Sequence, residues 1–126
     1  MNALPAALET RNLCKSFGAL TVADRIDFRL QAGARHALIG PNGAGKTTFV
    51  NMLTGALAPS SGQIVLGGED VTRVPQSARV KRGLGRTFQI NALFRRLSVL
   101  DNVALAVAER RGEAHHALRA ANAHVE

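Results

Sequence analysis

Nine consecutive residues have the types and spacing of a phosphate-binding loop. They read Gly40-Pro41-Asn42-Gly43-Ala44-Gly45-Lys46-Thr47-Thr48 and satisfy the pattern G-x-x-x-x-G-K-[ST] without a mismatch. Glycines adopt backbone conformations that side chains block, so the backbone amides of such a loop can face a bound anion. The residues predicted to bind the nucleotide in this loop are Asn42, Gly43, Ala44, Gly45, Lys46, Thr47 and Thr48.

Three side chains at the end of the loop add chemistry of their own. Lys46 places a positive charge within reach of the β- and γ-phosphates of a nucleoside triphosphate. The hydroxyl of Thr47 can take one coordination position on Mg²⁺, and Thr48 is expected to support the α-phosphate side. The predicted cofactors are therefore ATP and Mg²⁺.

The segments on either side of the loop have the context that this motif requires. Ala34–Ile39 is predicted to be a short strand that runs directly into the loop. Apolar residues at helical spacing, from Phe49 to Ala56, predict a helix after it. The helix would direct the positive end of its dipole at the phosphates.

Further elements follow from periodicity and punctuation. Alternation of apolar and polar residues predicts strands at Leu8–Leu13 and Val22–Leu30, and a third short strand covers Gln63–Leu66. Glu69 and Asp70 are expected in a turn, Pro75–Arg82 in a short helix, and Arg86–Phe88 in a short strand. Ser98 is predicted to cap a helix, with Asp101 three residues on. An apolar stripe then follows at Leu100, Val103, Ala104, Val107 and Ala108, and a second helical stripe is expected from Ala114 to Val125.

Composition and net charge indicate which kinds of partner and metal site the chain is expected to have. The chain has 126 residues and a formal charge of +7, which favours anionic partners, yet the basic residues lack interleaved aromatics of the kind that stack on bases. Dense runs such as Arg79-Val80-Lys81-Arg82 are interpreted mostly as a solvated face, and no specific nucleic-acid partner is predicted. Cys14 is the only cysteine. His115, His116 and His124 lack companion ligands at metal-binding spacing, so no metal site is predicted there.

The phosphate-binding loop, in its full nine-residue form, resembles the Walker A motif of ATP-binding cassette (ABC) transporter ATPases. The similarity continues through Leu13-Cys14-Lys15-Ser16-Phe17-Gly18, Ser61-Gly62-Gln63-Ile64 and Arg86-Thr87-Phe88-Gln89. It implies that Phe17 stacks on adenine. It also implies that Gln89, the Q-loop glutamine, contacts Mg²⁺ and the attacking water, so that Lys46 and Gln89 have catalytic roles and Thr47 and Gln89 are metal ligands.

The same resemblance implies an α/β fold: a P-loop NTPase core with an antiparallel β segment and the start of an α-helical subdomain, incomplete in this chain. Residues 1–90 would be the N-terminal part of the core, and residues 91–126 the beginning of the helical subdomain. Branched-chain amino acid importers are the most similar subfamily, with urea or amide importers and the lipopolysaccharide exporter as alternatives. Membrane permease subunits and a second ATPase subunit would be the partners. The location would be cytoplasmic, peripheral on the inner face of the cell membrane.

Parts of the ATPase machinery do not occur in these 126 residues. The sequence contains no L-S-G-G-Q signature and no apolar strand ending in Asp and Glu after the helical region. We therefore expect the chain alone to hydrolyse ATP very poorly, and we interpret it as an N-terminal fragment or a truncated product. A nucleotide-binding module without catalysis is one alternative. A nucleotide kinase or a small GTPase is another, although the N-K-x-D motif of GTPases is absent.

Overall fold

The computed structural model describes residues 5–87 and 93–113. The chain divides into two compact units, Met1–Gly85 and Arg86–Glu126. The sequence-based boundary between residues 90 and 91 stays a prediction. In the described residues, no helix is both long enough and apolar enough to cross a membrane.

A four-stranded antiparallel sheet forms the frame of the first unit. Its strands are β1 (Ala6–Phe17), β2 (Leu20–Gln31), β3 (Ser61–Leu66) and β4 (Glu69–Asp70), in the order β2-β1-β3-β4. The predicted strands at Leu8–Leu13, Val22–Leu30 and Gln63–Leu66 are confirmed inside the first three. The predicted turn at Glu69 and Asp70 is wrong, because these residues pair with Leu66 and Val65 across Gly67 and Gly68.

A bulge in β1 explains how its apolar side chains stay on one face. Leu8, Thr10 and Leu13 are all buried, a spacing that strict alternation would not allow. The register with β2 shifts between Thr10 and Leu13, where Asn12 takes a φ of 47°. The backbone amide of Asn12 donates to Asp27 Oδ1 at 2.6 Å, which stabilises the extra residue.

Two short helices accompany this sheet. They are α1 (Lys46–Thr54) and α2 (Gln76–Lys81). The core lies where α1 packs on the sheet and consists of Leu8, Leu13, Ala23, Phe49, Met52, Leu53, Ile64 and Val71. The helix predicted after the loop and the short helix at Pro75–Arg82 are therefore both confirmed, with Pro75 as the N-cap of α2.

The strand predicted at Ala34–Ile39 does not form. Among the described residues, no strand pairs with this segment, so its backbone lacks the hydrogen bonds that define a strand. Leu38 and Ile39 are 52% and 89% exposed. Arg86 and Thr87, predicted to start another strand, are also irregular, and Phe88 lies outside the described residues.

The second unit contains helix α3 (Val99–Arg111). The predicted cap is confirmed: the Asp101 amide donates to Ser98 Oγ at 3.1 Å, and the Ser98 amide donates to Asp101 Oδ2 at 3.3 Å. Gly112 ends the helix with a φ of 77°. No described residue of α3 is buried, and its predicted apolar stripe is exposed except for the half-buried Ala108. The helical stripe predicted at Ala114–Val125 lies outside the described residues.

Candidate nucleotide-binding site

The loop Gly40–Thr48 turns tightly into the N-terminus of α1. Gly43 and Gly45 have φ values of 83° and 89°, in the left-handed region that favours glycine. The amide of Phe49 donates to the Gly45 carbonyl at 2.9 Å, which is the first bond of the helical ladder. The amides that precede Phe49 in this first turn therefore remain available to an anion. No acidic residue lies in the first turn of α1, so no carboxylate competes for them.

Gly45 also fixes the loop against the sheet. A Cβ atom at this position would lie 2.9 Å from the Val22 carbonyl oxygen and 3.0 Å from Val22 Cγ1. The loop backbone therefore approaches β2 more closely than any side chain permits. At Gly43 an added Cβ would meet nothing within 4 Å. The two glycines thus share a backbone conformation but differ in their surroundings.

The Lys46 side chain folds back over the loop. Its ammonium group donates to the carbonyl of Gly40 and, at 2.6 Å, to that of Pro41. These contacts hold the ammonium group against the first two residues of the loop. Because the two carbonyls are neutral, they are weaker partners for an ammonium than a phosphate oxygen would be.

The other predicted loop residues are contiguous with these. Asn42 and Thr47 are exposed, and Thr48 is half-buried. The Ala44 amide donates to the Pro41 carbonyl at 3.2 Å, which closes the turn. Thr47 offers a hydroxyl oxygen, a ligand type that Mg²⁺ accepts together with phosphate oxygens. Within residues 5–87 and 93–113, no cluster of three His, Cys, Asp or Glu could hold a metal by itself.

Phe17 lies at the end of β1, in the hairpin that approaches the loop. It pairs with Leu20, two residues before Val22, so its end of the hairpin is the end that contacts Gly45. Phe17 as a residue is 50% exposed, which leaves it accessible for stacking. Lys15 Nζ lies 5.1 Å from the ring centroid and donates to the Ala58 carbonyl at 2.7 Å. Gln89, the other residue that the resemblance singles out, lies outside the described residues.

The burial of one charged residue was not predicted from the sequence. Arg79 belongs to the run that was interpreted as a solvated face, yet only 2% of it is exposed, and it binds the carbonyls that end α1. Burial lowers the pKa of its guanidinium, and the charge of Asp70 partly offsets that effect. The composition of a basic helix carries no signal that separates this arginine from Lys81 and Arg82.

The loop, the helix that follows it and the core beneath have the architecture of a P-loop protein. A family model described as "ABC transporter" matches residues 23–125, and the chain belongs to that family. This agrees with the resemblance noted in the sequence.

Curated relatives include import ATP-binding proteins from several bacteria. The chain is 42% identical over 100 residues to a Fe(3+) ions import ATP-binding protein of Rhizobium meliloti, covering 79% of this chain and 28% of the relative. It is 40% identical over 119 residues to a sulfate/thiosulfate import ATP-binding protein of Chromobacterium violaceum, covering 94% and 32%. A spermidine/putrescine import ATP-binding protein of Nitrosomonas eutropha is 43% identical over 99 residues, covering 79% and 26%. The chain thus spans about a third or less of the length of these relatives. None of the three names mentions branched-chain amino acids.

Solved structures show the same architecture. A nucleotide-free ATP-binding cassette from an ABC transporter superposes with a TM-score of 0.72 at 30% identity, covering 81% of this chain and 40% of that one. A cassette in its ADP conformation gives 0.73 at 30% identity, covering 82% and 41%. The predicted fold class, an α/β P-loop core with an antiparallel segment, is confirmed by these similarities.

Proposed function

We propose that the chain is the ATP-binding part of an ABC transporter ATPase that powers solute import. The observation that supports this most strongly is the loop itself, with Gly43 and Gly45 in left-handed conformations and Lys46 folded over the opening. The amides of the first turn of α1 would bind phosphate oxygens. Lys46 would exchange the carbonyls of Gly40 and Pro41 for the β- and γ-phosphates.

The roles of the remaining site residues are those that the resemblance to ABC transporter ATPases implies. Phe17 would stack on adenine, since the residue is half exposed and its ring offers a flat face. Thr47 and Gln89 would be ligands of Mg²⁺, and this cation would neutralise charge on the transferred phosphoryl group. Gln89 would also orient the attacking water.

Isothermal titration of the 126-residue chain with MgATP tests this assignment. Lys46→Ala should weaken binding by roughly 10- to 100-fold, because a hydrogen bond between charged groups contributes about 1.5–3 kcal/mol. Lys81→Ala is the matched control, a lysine with the same charge change on α2, and should leave affinity within about twofold. Equal affinities of the Lys46 variant and the unaltered chain would overturn the proposal. A clear preference for MgGTP would favour another class of P-loop protein.

We infer that the chain by itself binds ATP without appreciable turnover. The signature motif and the strand ending in Asp and Glu do not occur in its sequence, and both supply groups that phosphoryl transfer needs. Release of inorganic phosphate should stay at background over hours. Hydrolysis that disappears in Lys46→Ala would contradict this inference.

The partners and the solute belong to the same proposal. A second ATPase subunit and membrane permease subunits would place the protein at the cytoplasmic face of the membrane. Branched-chain amino acids are the solute that the sequence resemblance favours, whereas the relatives' names point to iron, sulfate and polyamine import. Transport of radiolabelled leucine, sulfate and spermidine by cells with and without the intact gene would separate these solutes. Loss of sulfate or spermidine uptake with normal leucine uptake would reject the branched-chain assignment.

A further inference from the structure

Arg79 holds the end of α1 that is far from the phosphate loop. Its Nη1 donates to the carbonyls of Met52 and Leu53, both at 2.8 Å. These are carbonyls of the last turn of the helix, which lack the usual amide donor four residues further along an α-helix. The positive charge also lies at the negative end of the helix dipole.

The same guanidinium binds the segment that leads from β4 to α2. Nε donates to the Val74 carbonyl at 2.8 Å, and Nη2 donates to the Thr72 carbonyl at 3.0 Å. Arg79 thus joins two segments that are separated by about twenty residues in the sequence.

Gly55 leaves room for this arrangement. It ends α1 with a φ of 82°, and its amide donates to the Met52 carbonyl at 3.2 Å. An added Cβ would lie 3.0 Å from Arg79 Nε and 3.1 Å from Cζ. The glycine therefore serves both the left-handed helix end and the close approach of the guanidinium.

Burial of the charged Arg79 side chain at this place is energetically unfavourable. Among the described residues, Arg79 is the one charged side chain that is buried. Its guanidinium donates to backbone carbonyls rather than to a carboxylate. An apolar side chain of similar length could fill the space, but it would leave these carbonyls without their hydrogen-bond donor. What an apolar side chain would lack is the directional connection between α1 and residues 72–75.

We propose that Arg79 is a positioning residue for nucleotide binding, which fixes the axis of α1 and thereby the amides and Lys46 at its other end. The inference rests on the proposed function of the loop. Nine helical residues span about 13 Å. A tilt of about 5° around the Arg79 end would displace the first turn by roughly 1 Å, enough to lengthen a 2.9 Å hydrogen bond beyond the usual range.

Matched variants of the arginine within α2 and the arginine directly after it test this proposal. MgATP affinity is measured by calorimetry, and folding by circular dichroism at the same temperature, for Arg79→Met, Arg79→Lys and the control Arg82→Met. We expect about a tenfold or larger loss of affinity for folded Arg79→Met, partial recovery with lysine, and less than a twofold change for the control. Arg82 is exposed, directly follows the last residue of α2 and pairs with Glu69 at 3.0 Å, so the control removes the same charge at the end of the same helix. Unchanged affinity in folded Arg79→Met, with stability alone reduced, would show a purely structural role and overturn the proposal.

If Arg79→Met does not fold, a measurement on the unaltered chain tests the positioning role of Arg79. The ¹⁵N–¹H signal of Arg79 Nε reports its bond to Val74 directly. Because coupling between two sites is reciprocal, saturation with MgATP should shift this signal and slow its hydrogen exchange. Gly55→Ala, which crowds the guanidinium without removing it, should weaken MgATP binding several-fold.

The possible results separate the two proposals. If MgATP shifts the loop amides but neither the Arg79 signal nor the affinity of Arg79→Lys changes, the positioning role is wrong and the proposed function stands. If MgATP does not bind to the unaltered chain, both are wrong.

Discussion

Replacing Gly45 and Gly43 separately with alanine should have unequal effects on stability. Both residues have positive φ, 89° and 83°, so both alanines adopt a left-handed conformation. Only at Gly45 would the added Cβ contact another residue, Val22, at 2.9 Å from its carbonyl oxygen. The pair therefore separates the cost of the conformation from the cost of the contact.

The expected loss in free energy of unfolding is the sum of the cost of the left-handed conformation and the cost of the contact. A left-handed conformation costs an alanine about 1–2 kcal/mol, which is the whole effect expected for Gly43→Ala. Overpacking of a well-packed site typically adds about 1–3 kcal/mol, so Gly45→Ala should lose about 2–5 kcal/mol. The backbone carbonyl of Val22 cannot rotate away as a flexible side chain would, which favours the upper part of that range.

Urea unfolding without nucleotide, followed by circular dichroism, measures both variants under one set of conditions. The midpoint of Gly45→Ala should fall clearly below that of Gly43→Ala, at unchanged slope. Equal midpoints would refute the reasoning, because they would mean that the loop does not rest on β2 at Val22. Titration of each folded variant with MgATP then shows how far the displaced loop loses phosphate binding.

Three further outcomes are expected. Ser98→Ala should destabilise α3 by about 0.5–2 kcal/mol, seen as lost helical ellipticity, and Ser98→Asp should retain most of it. Lys15→Met removes the cation over Phe17 and should weaken MgATP binding about two- to fivefold while leaving the affinity for inorganic tripolyphosphate unchanged; an equal loss for both ligands would refute a role at the base. The hydrogen bond from Arg82 lowers the pKa of Glu69 below its ordinary 4.5. The stability from this pair should therefore be present above about pH 4.5 and disappear as the pH falls further, an effect absent in Glu69→Gln.

Local signals were sufficient for much of the fold. The strand alternation around Leu8, the glycine-rich loop followed by helical spacing, and the Ser98–Asp101 capping pair each specify an element through neighbours in the sequence. The loop geometry was predictable for the same reason, since left-handed glycines and a helix N-terminus are local features.

The conformation of Ala34–Ile39 and the burial of Arg79 depend on residues that are distant in sequence, and neither was predicted correctly. Ala34–Ile39 has the composition of a strand, but a strand requires a paired neighbour, and none occurs among the described residues. Arg79 has the composition of a surface residue, and only the carbonyls at the end of α1, about twenty-five residues earlier, make its burial favourable.

The phosphate loop is therefore held at two points before any nucleotide arrives. Gly45 rests on Val22 at one end of α1, and Arg79 binds the carbonyls at the other. Lys46 is already held at the start of the loop by neutral carbonyl partners. In the proposed function, a phosphate would replace these weak partners of Lys46 with stronger ones without rebuilding the loop, so little ordering entropy would oppose binding. Loosening the contact at Val22 or the hydrogen bonds of Arg79 should therefore reduce affinity, even though neither Val22 nor Arg79 is among the residues proposed to bind the nucleotide.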